Sequence, residues 1–167
     1  MLKLMHITND PAVAKIAADA GVDRIFIDME VLGKAERQGG MDTVQSHHVP
    51  EDIAKVRAAI GNKAEIMARV NPLNPNSQTE IDASIENSAD VIMLPMWRTT
   101  DDLRQLVNMV DGRAKVMPLL ETDTAADNLP EAVKVSGIDQ MLIGLNDLHL
   151  CYHQKFMFQL LADDTVD

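Results

Sequence analysis

RIFIDME, residues 24–30, carries three consecutive apolar residues, Ile25, Phe26 and Ile27, followed at once by Asp28 and two positions later by Glu30. A half-exposed strand alternates apolar with polar residues. An unbroken apolar run this short implies a strand covered on both faces, the environment of a parallel sheet. Five similar runs are spread along the chain: LKLMHIT (2–8), AEIMARV (64–70), VIMLPM (91–96), KVMPLL (115–120) and MLIGL (141–145).

Helix-period segments separate these runs. Asp10 and Pro11 read as N-cap and first residue of a helix with Val13, Ile16, Ala17 and Ala20 on one face and Gly21 as its stop. Pro50 opens a second helix carrying Ile53, Val56 and Ile60 and ending at Gly61. Ser77 and Glu80 suggest a capping box before Ile81 and Ile85, and Thr100 a cap for the helix bearing Leu103, Leu106, Val107 and Val110. Pro130 interrupts the segment after the fifth run. Strands alternating with helices imply parallel βα units with right-handed crossovers.

Two architectures fit this order: an open doubly wound sheet, or a (β/α)8 TIM barrel represented by about six βα units. No run is followed by G-x-G-x-x-G or by a Walker phosphate loop, which favours the barrel. Polar residues also collect just past the runs: Asp28 and Glu30, Arg69 and Asn71, Glu121, then Asn146 and Asp147. Barrel enzymes place their active sites at those C-terminal strand ends.

The 167 residues, 46% of them hydrophobic, predict one domain spanning 1–167. A net charge of -11 without a Lys/Arg cluster disfavours nucleic acid and anionic membrane surfaces as partners. Cys151 is the single cysteine, which excludes an internal disulfide and suggests a reducing, cytoplasmic setting. No apolar stretch approaches the roughly 20 residues needed to span a bilayer.

Glu121 and Asp147 fall at corresponding ends of consecutive strands, which pair at about 4.8 Å, so their carboxylates can converge on one cation. Oxygen-only ligands suit a hard ion, Mg²⁺ or Mn²⁺. The alternatives are a helix-cap partner for Glu121 and a turn or capping role for Asp147. Arg69, ending an apolar strand, reads either as a structural ion pair with one of these acids or as a fork of donors for a carboxylate or enolate oxygen. Asn71 follows on the same side by strand alternation.

RIFIDMEVLGKAERQGG, ARVNP, VIMLPM, LLET and IGLNDLHL, in this order and spacing, resemble the HpcH/HpaI aldolase and citrate lyase β-type family. The resemblance implies a metal-dependent (β/α)8 barrel that makes or breaks a carbon–carbon bond beside an enolate. It implies that Glu121 and Asp147 hold the metal and that Arg69 stabilises the enolate oxygen. Glu30 is expected beside them in a catalytic role, with Asn71, Asn146 and Arg69 as substrate contacts. The expected reaction is cleavage of a 4-hydroxy-2-oxo acid to pyruvate and an aldehyde. The alternatives are a citrate-lyase-like acyl-CoA lyase and a catalytically inactive fragment.

Two departures from the family pattern stand out. The aldolases carry a His directly after the second-strand acidic residue, where this chain has Val31, so the base is unassigned; the stretch around Glu30 and GKAERQ looks closer to the citrate-lyase-like branch. His47 and His48 read either as a base or as solvated loop residues, and His6 as a group at the barrel mouth. The chain also ends after its sixth strand, whereas a complete barrel needs eight strands and about 250 residues. The expectation is therefore a partial barrel lacking its last two βα units, with exposed edges that favour a homo-oligomer and weak activity.

Overall fold

The computed structural model describes residues 2–33, 46–162 and 166. Six strands form one parallel sheet in sequence order: β1 (Met5–Ile7), β2 (Arg24–Asp28), β3 (Glu65–Arg69), β4 (Val91–Leu94), β5 (Lys115–Leu120) and β6 (Leu142–Ile143). The sheet is an open half-barrel that begins with β1 and ends with β6, the edges of the sheet among the described residues. Its helices are α1 (Pro11–Asp19), α2 (Pro50–Ile60), α3 (Ser77–Glu86), α4 (Thr100–Val110), α5 (Asp123–Asp127), α6 (Leu129–Ala132) and α7 (Leu145–Cys151), with a 3-10 turn at Met157–Leu161. Pro130 at the start of α6 explains why the segment after β5 breaks into two short helices. GKAERQ, apart from Gly33, lies outside the described residues.

Strand alternation sorts the core into two layers. Ile25, Ile27, Ile66, Ala68, Ile92, Leu94, Val116 and Leu120 face the helices. Phe26, Met67, Val91, Met93, Met117 and Leu119 fill the concave side. The next concave positions beyond this second layer are Asp28, Arg69 and Glu121, so the pattern that packs the interior also aims three charged groups into the mouth.

At the opposite end the sheet is tied by charge. Arg24 donates through Nη2 to Glu65 Oε2 at 2.5 Å, and Lys115 Nζ to Glu65 Oε1 at 2.5 Å, linking β2, β3 and β5. An aspartate before each even-numbered strand accepts one backbone N–H at or next to the start of the strand preceding it. Asp23 takes Leu4 N–H at 2.8 Å, Asp90 takes Ile66 N–H at 2.7 Å, and Asp139 takes Val116 N–H at 2.8 Å. The three recur in the sequence as VDR, ADV and IDQ, a short internal signature of alternate strands. Asp90 also pairs with Arg57, whose guanidinium reaches the carbonyls of Gly61 and Ser88.

Some local expectations shift. In α1 the buried residues are Ala14 and Ala18, while Val13 and Ile16 are exposed; the small alanines let α1 lie close on α2 and β2. Thr99, one residue before Thr100, caps α4: its hydroxyl accepts Asp102 N–H at 3.2 Å and Asp102 returns the bond to Thr99 N–H at 2.8 Å. The Ser77–Glu80 box does not form, because Glu80 accepts instead from Asn71 and Asn74. β6 is shorter than its apolar run, because the chain turns into α7 directly after Gly144.

Asp90→Ala strands the buried Ile66 N–H and the Arg57 guanidinium together, so it should lower unfolding stability by about 1–3 kcal/mol. Asp101→Ala, at an exposed helix position, should stay within about 0.5 kcal/mol. Urea unfolding of both variants checks the contrast; equal effects would deny Asp90 its stapling role.

Candidate active site

Asp28 and Arg69 end β2 and β3 in direct register. Arg69 donates Nε to Asp28 Oδ1 and Nη2 to Asp28 Oδ2, both at 2.9 Å, a two-pronged pair with both side chains largely buried. Glu30 Oε2 lies 3.4 Å from Arg69 Nε, and the guanidinium carbon sits 5.3 Å from the centre of the Phe26 ring. Burial works against the charged guanidinium, but the bonds to Asp28 and the charges of Asp28, Glu30 and Glu121 outweigh it and hold its pKa above the ordinary arginine value. Arg69 is therefore both a structural ion pair and a fixed positive charge at the mouth.

Glu121 follows β5 directly and is almost wholly buried. Two backbone features set its position. Met96, in the left-handed region at φ 55°, donates its N–H to Glu121 Oε1 at 3.0 Å. Gly144 passes so close that an added Cβ would fall 2.9 Å from Glu121 Cβ and 3.1 Å from Oε2. Gly144 is thus required by proximity, its φ of -93° being open to any residue. Burial, then the charges of Asp147 and Glu30, push the Glu121 carboxyl up to about 8, against the opposing pull of Arg69 and the Met96 N–H.

Asp28, Arg69, Glu121, Asn146, Asp147 and His6 all line one cleft of about 750 Å³ at the C-terminal ends of the strands, with Phe26, Met93 and Leu119 as its apolar floor. Asn146 and Asp147 stand in the first turn of α7, and Asp147 is buried. Asn71 does not line this cleft; its side chain bonds Val31, Leu32 and Glu80 beside a separate pocket. His48 Nδ1 accepts Asp28 N–H at 3.0 Å, His47 is exposed, and His149 is buried with Nδ1 3.2 Å from Leu145 O. A second large cleft, about 630 Å³, opens at the other end of the sheet around Asp90, Arg113 and Lys115.

Among the described residues no three His, Cys, Asp or Glu side chains gather into a complete metal cage. The donor set of Glu121 and Asp147 is two carboxylates whose charges oppose each other in a buried setting. That chemistry suits Mg²⁺, which keeps several waters and commonly takes only one or two protein carboxylates. The Asp28–Arg69 fork, the Met96 N–H and the Gly144 approach were not anticipated from sequence. Opposite charges at the ends of adjacent strands signalled the first; the other two depend on loop paths that no local pattern encodes.

The sequence matches the family described as HpcH/HpaI aldolase/citrate lyase over residues 4–155. The chain belongs to this family. Its six-strand half-barrel is similar to several solved structures, two of which carry the family's name. One is an HpcH/HpaI aldolase/citrate lyase family protein from Burkholderia cenocepacia, 17% identical, TM-score 0.77, covering 98% of this chain and 71% of that one. Another is an HpcH/HpaI aldolase from Desulfitobacterium hafniense, 13% identical, TM-score 0.73, covering 98% and 70%. A third is the citrate synthase SbnG, 15% identical, TM-score 0.75, covering 98% and 69%. At these identities the structural likeness concerns the fold. No curated protein matched the sequence. Among the described residues no helix is long and apolar enough to cross a membrane. Membership associates the chain with aldolase and lyase enzymes.

The Glu121 shift has a sign that can be tested. A carboxyl whose folded pKa is raised from 4.5 to about 8 favours the fold while protonated. Its contribution is complete below about pH 4.5 and is lost as pH rises through about 8. With divalent cations chelated, the parent chain should lose stability from this group between about pH 4.5 and 8. Glu121→Gln, permanently neutral, should lose less. Parallel urea curves for the two proteins across that range would rule out the buried neutral carboxyl.

Proposed function

We propose that the chain is a carbon–carbon lyase that cleaves a 4-hydroxy-2-oxo acid to pyruvate and an aldehyde, assisted by Mg²⁺ or Mn²⁺ held by Glu121 and Asp147. The observation that carries this reading is one cleft in which Glu121 and Asp147 stand opposite a fixed guanidinium, Arg69. When bound, the cation would supply Lewis-acid polarisation of the 2-oxo group.

Cleavage removes the proton of the 4-hydroxyl and breaks the C3–C4 bond. The aldehyde departs, the electron pair becomes the enolate of pyruvate, and protonation at C3 completes the product. Arg69 faces the developing enolate charge. Its Nε and Nη2 are held by Asp28, so the guanidinium need not reorganise as charge appears. Glu30, buried with Oε2 3.4 Å from Arg69 Nε, adds a second carboxylate beside the same nitrogen that donates to Asp28. Asn146, in the first turn of α7, is the proposed polar contact to the substrate.

The decisive assay is pyruvate release from a panel of 4-hydroxy-2-oxo acids with and without Mg²⁺ or Mn²⁺. Cation-dependent release is expected. Glu121→Ala and Asp147→Ala should each abolish cation binding by calorimetry. Arg69→Lys keeps charge but loses the planar fork to Asp28, so turnover should fall about 100-fold, and the melting temperature should fall too, though less than in Arg69→Ala. Cation-independent release, a demand for an acyl-CoA substrate, or unchanged affinity in both alanine variants would overturn the assignment.

We also propose self-association. Among the described residues β1 and β6 each leave one edge unpaired, and apolar side chains are exposed near both: Leu4 and Ile7 at one, Ile143 and Phe156 at the other. Light scattering should report a mass above 18.4 kDa; a stable monodisperse monomer would contradict this.

A further inference from the structure

Asn71 has the alternation of a substrate contact and the bonding of something else, and we propose that it is a positioning residue which, locked by Glu80 of α3, holds Glu30 against Arg69. Its Oδ1 accepts two consecutive backbone donors, Val31 N–H and Leu32 N–H, each at 2.9 Å. Its Nδ2 donates to Glu80 Oε2 at 3.1 Å, and its own N–H reaches the same oxygen at 3.2 Å. Asn74 Nδ2 donates to the other oxygen, Glu80 Oε1, at 3.2 Å.

The sense of this amide is decided by chemistry. The two ends of an asparagine side chain have nearly the same shape, but an ionised carboxylate only accepts. Glu80 therefore draws the NH2 end toward α3, and the oxygen is left facing Val31 and Leu32. Upstream the same segment is pinned twice more: Met29 N–H donates to Arg69 O at 3.0 Å, and Glu30 N–H to Asp28 Oδ1 at 3.3 Å. Every backbone donor from Met29 to Leu32 is thus tied to β3, its continuation or Asp28. Glu30 lies in the middle of that segment, its side chain 1% exposed and 3.4 Å from Arg69 Nε. The clamp acts on the chemistry through Glu30, and for that consequence it rests on the lyase reading; its structural part does not.

Reversing the polarity of the pair tests it. Asn71→Asp keeps an acceptor for Val31 and Leu32 but sets a carboxylate against Glu80. Adding Glu80→Gln restores a donor opposite the new acid, so the double variant rebuilds the side-chain bond with donor and acceptor exchanged, while the backbone N–H at position 71 loses the oxygen it shared. In the full chain with Mg²⁺ present, Asn71→Asp should lower kcat about 10-fold or more at nearly constant KM. It should also speed hydrogen exchange at the Val31 and Leu32 amides, and the double variant should recover a measurable part of both. If Asn71→Asp does not fold, Glu80→Gln alone, which removes the lock on the amide sense, should show the same pair of changes in smaller measure. A rise in KM with kcat intact would make Asn71 a direct substrate contact and overturn the proposal. A double variant no better than the single one would also overturn it. Exchange that responds as expected in a parent chain without lyase activity would sink the lyase reading and leave the clamp standing. Unchanged exchange would sink the clamp whatever the activity.

Discussion

A guanidinium inside a parallel sheet must be paired, and the pairing of Arg69 with Asp28 organises the rest of the mouth. Both side chains are nearly out of water, where an unpaired charge costs several kcal/mol, on the order of 3–5 when one partner of a buried pair is removed. Register makes the pairing automatic: the parallel β2–β3 ladder sets Asp28 opposite Arg69, and alternation turns both to the concave side. Because two prongs of the fork are satisfied within the sheet, the position of the charge is set by strand geometry and not by loops. Glu30, the Phe26 ring and the approach of Glu121 are all arranged around that fixed point.

The two ends of the sheet treat charge differently. At the N-terminal end acids and bases are matched: Arg24 and Lys115 share Glu65, Asp90 meets Arg57, and three aspartates close the strand ends by taking backbone N–H groups. At the C-terminal end charged groups converge on one place: Asp28, Glu30 and Glu121 act on Arg69, and Asp147 lines the same cleft. Barrel folds divide stability and chemistry in this way, so the convergence at the mouth is the more informative feature. It also singles out the cleft at the mouth over the second cleft of similar size, whose charged residues are held by partners in the frame.

The six strands were legible because each is an apolar run bounded by helix starts and stops, and burial on both faces leaves a signature that needs no long-range information. Strand ends were less legible. Leu145 ends the apolar run, with Asn146 and Asp147 just past it, yet all three belong to α7, because helix onset there is decided by how the chain clears β5, where Gly144 crosses Glu121. α1 was assigned its face from its larger apolar residues, whereas the packing contact is made by Ala14 and Ala18; close helix approach selects small side chains that a hydrophobicity pattern underweights. Of the site residues, Arg69, Glu121, Asn146 and Asp147 line the cleft as alternation and strand-end position suggested, while Asn71 does not, since alternation stops where a strand stops.

The Glu121 carboxyl can carry a proton or, on the lyase reading, face a divalent ion, and the two compete for the same oxygen atoms. In the absence of a cation, burial and the neighbouring acids keep a proton on Glu121 up to about pH 8. On the lyase reading a divalent ion takes that proton's place, so binding must expel it, and affinity for the ion must grow as pH rises toward the Glu121 pKa. The same competition bears on Arg69. With Glu121 neutral, Asp28 and Glu30 are the acids that act on the guanidinium; with Glu121 ionised, a third carboxylate adds to the field there. On the lyase reading a fixed Arg69 lets proton and metal exchange without rebuilding the frame of the mouth, because the fork, the strand register and the segment from Met29 to Leu32 are held by bonds that neither uses.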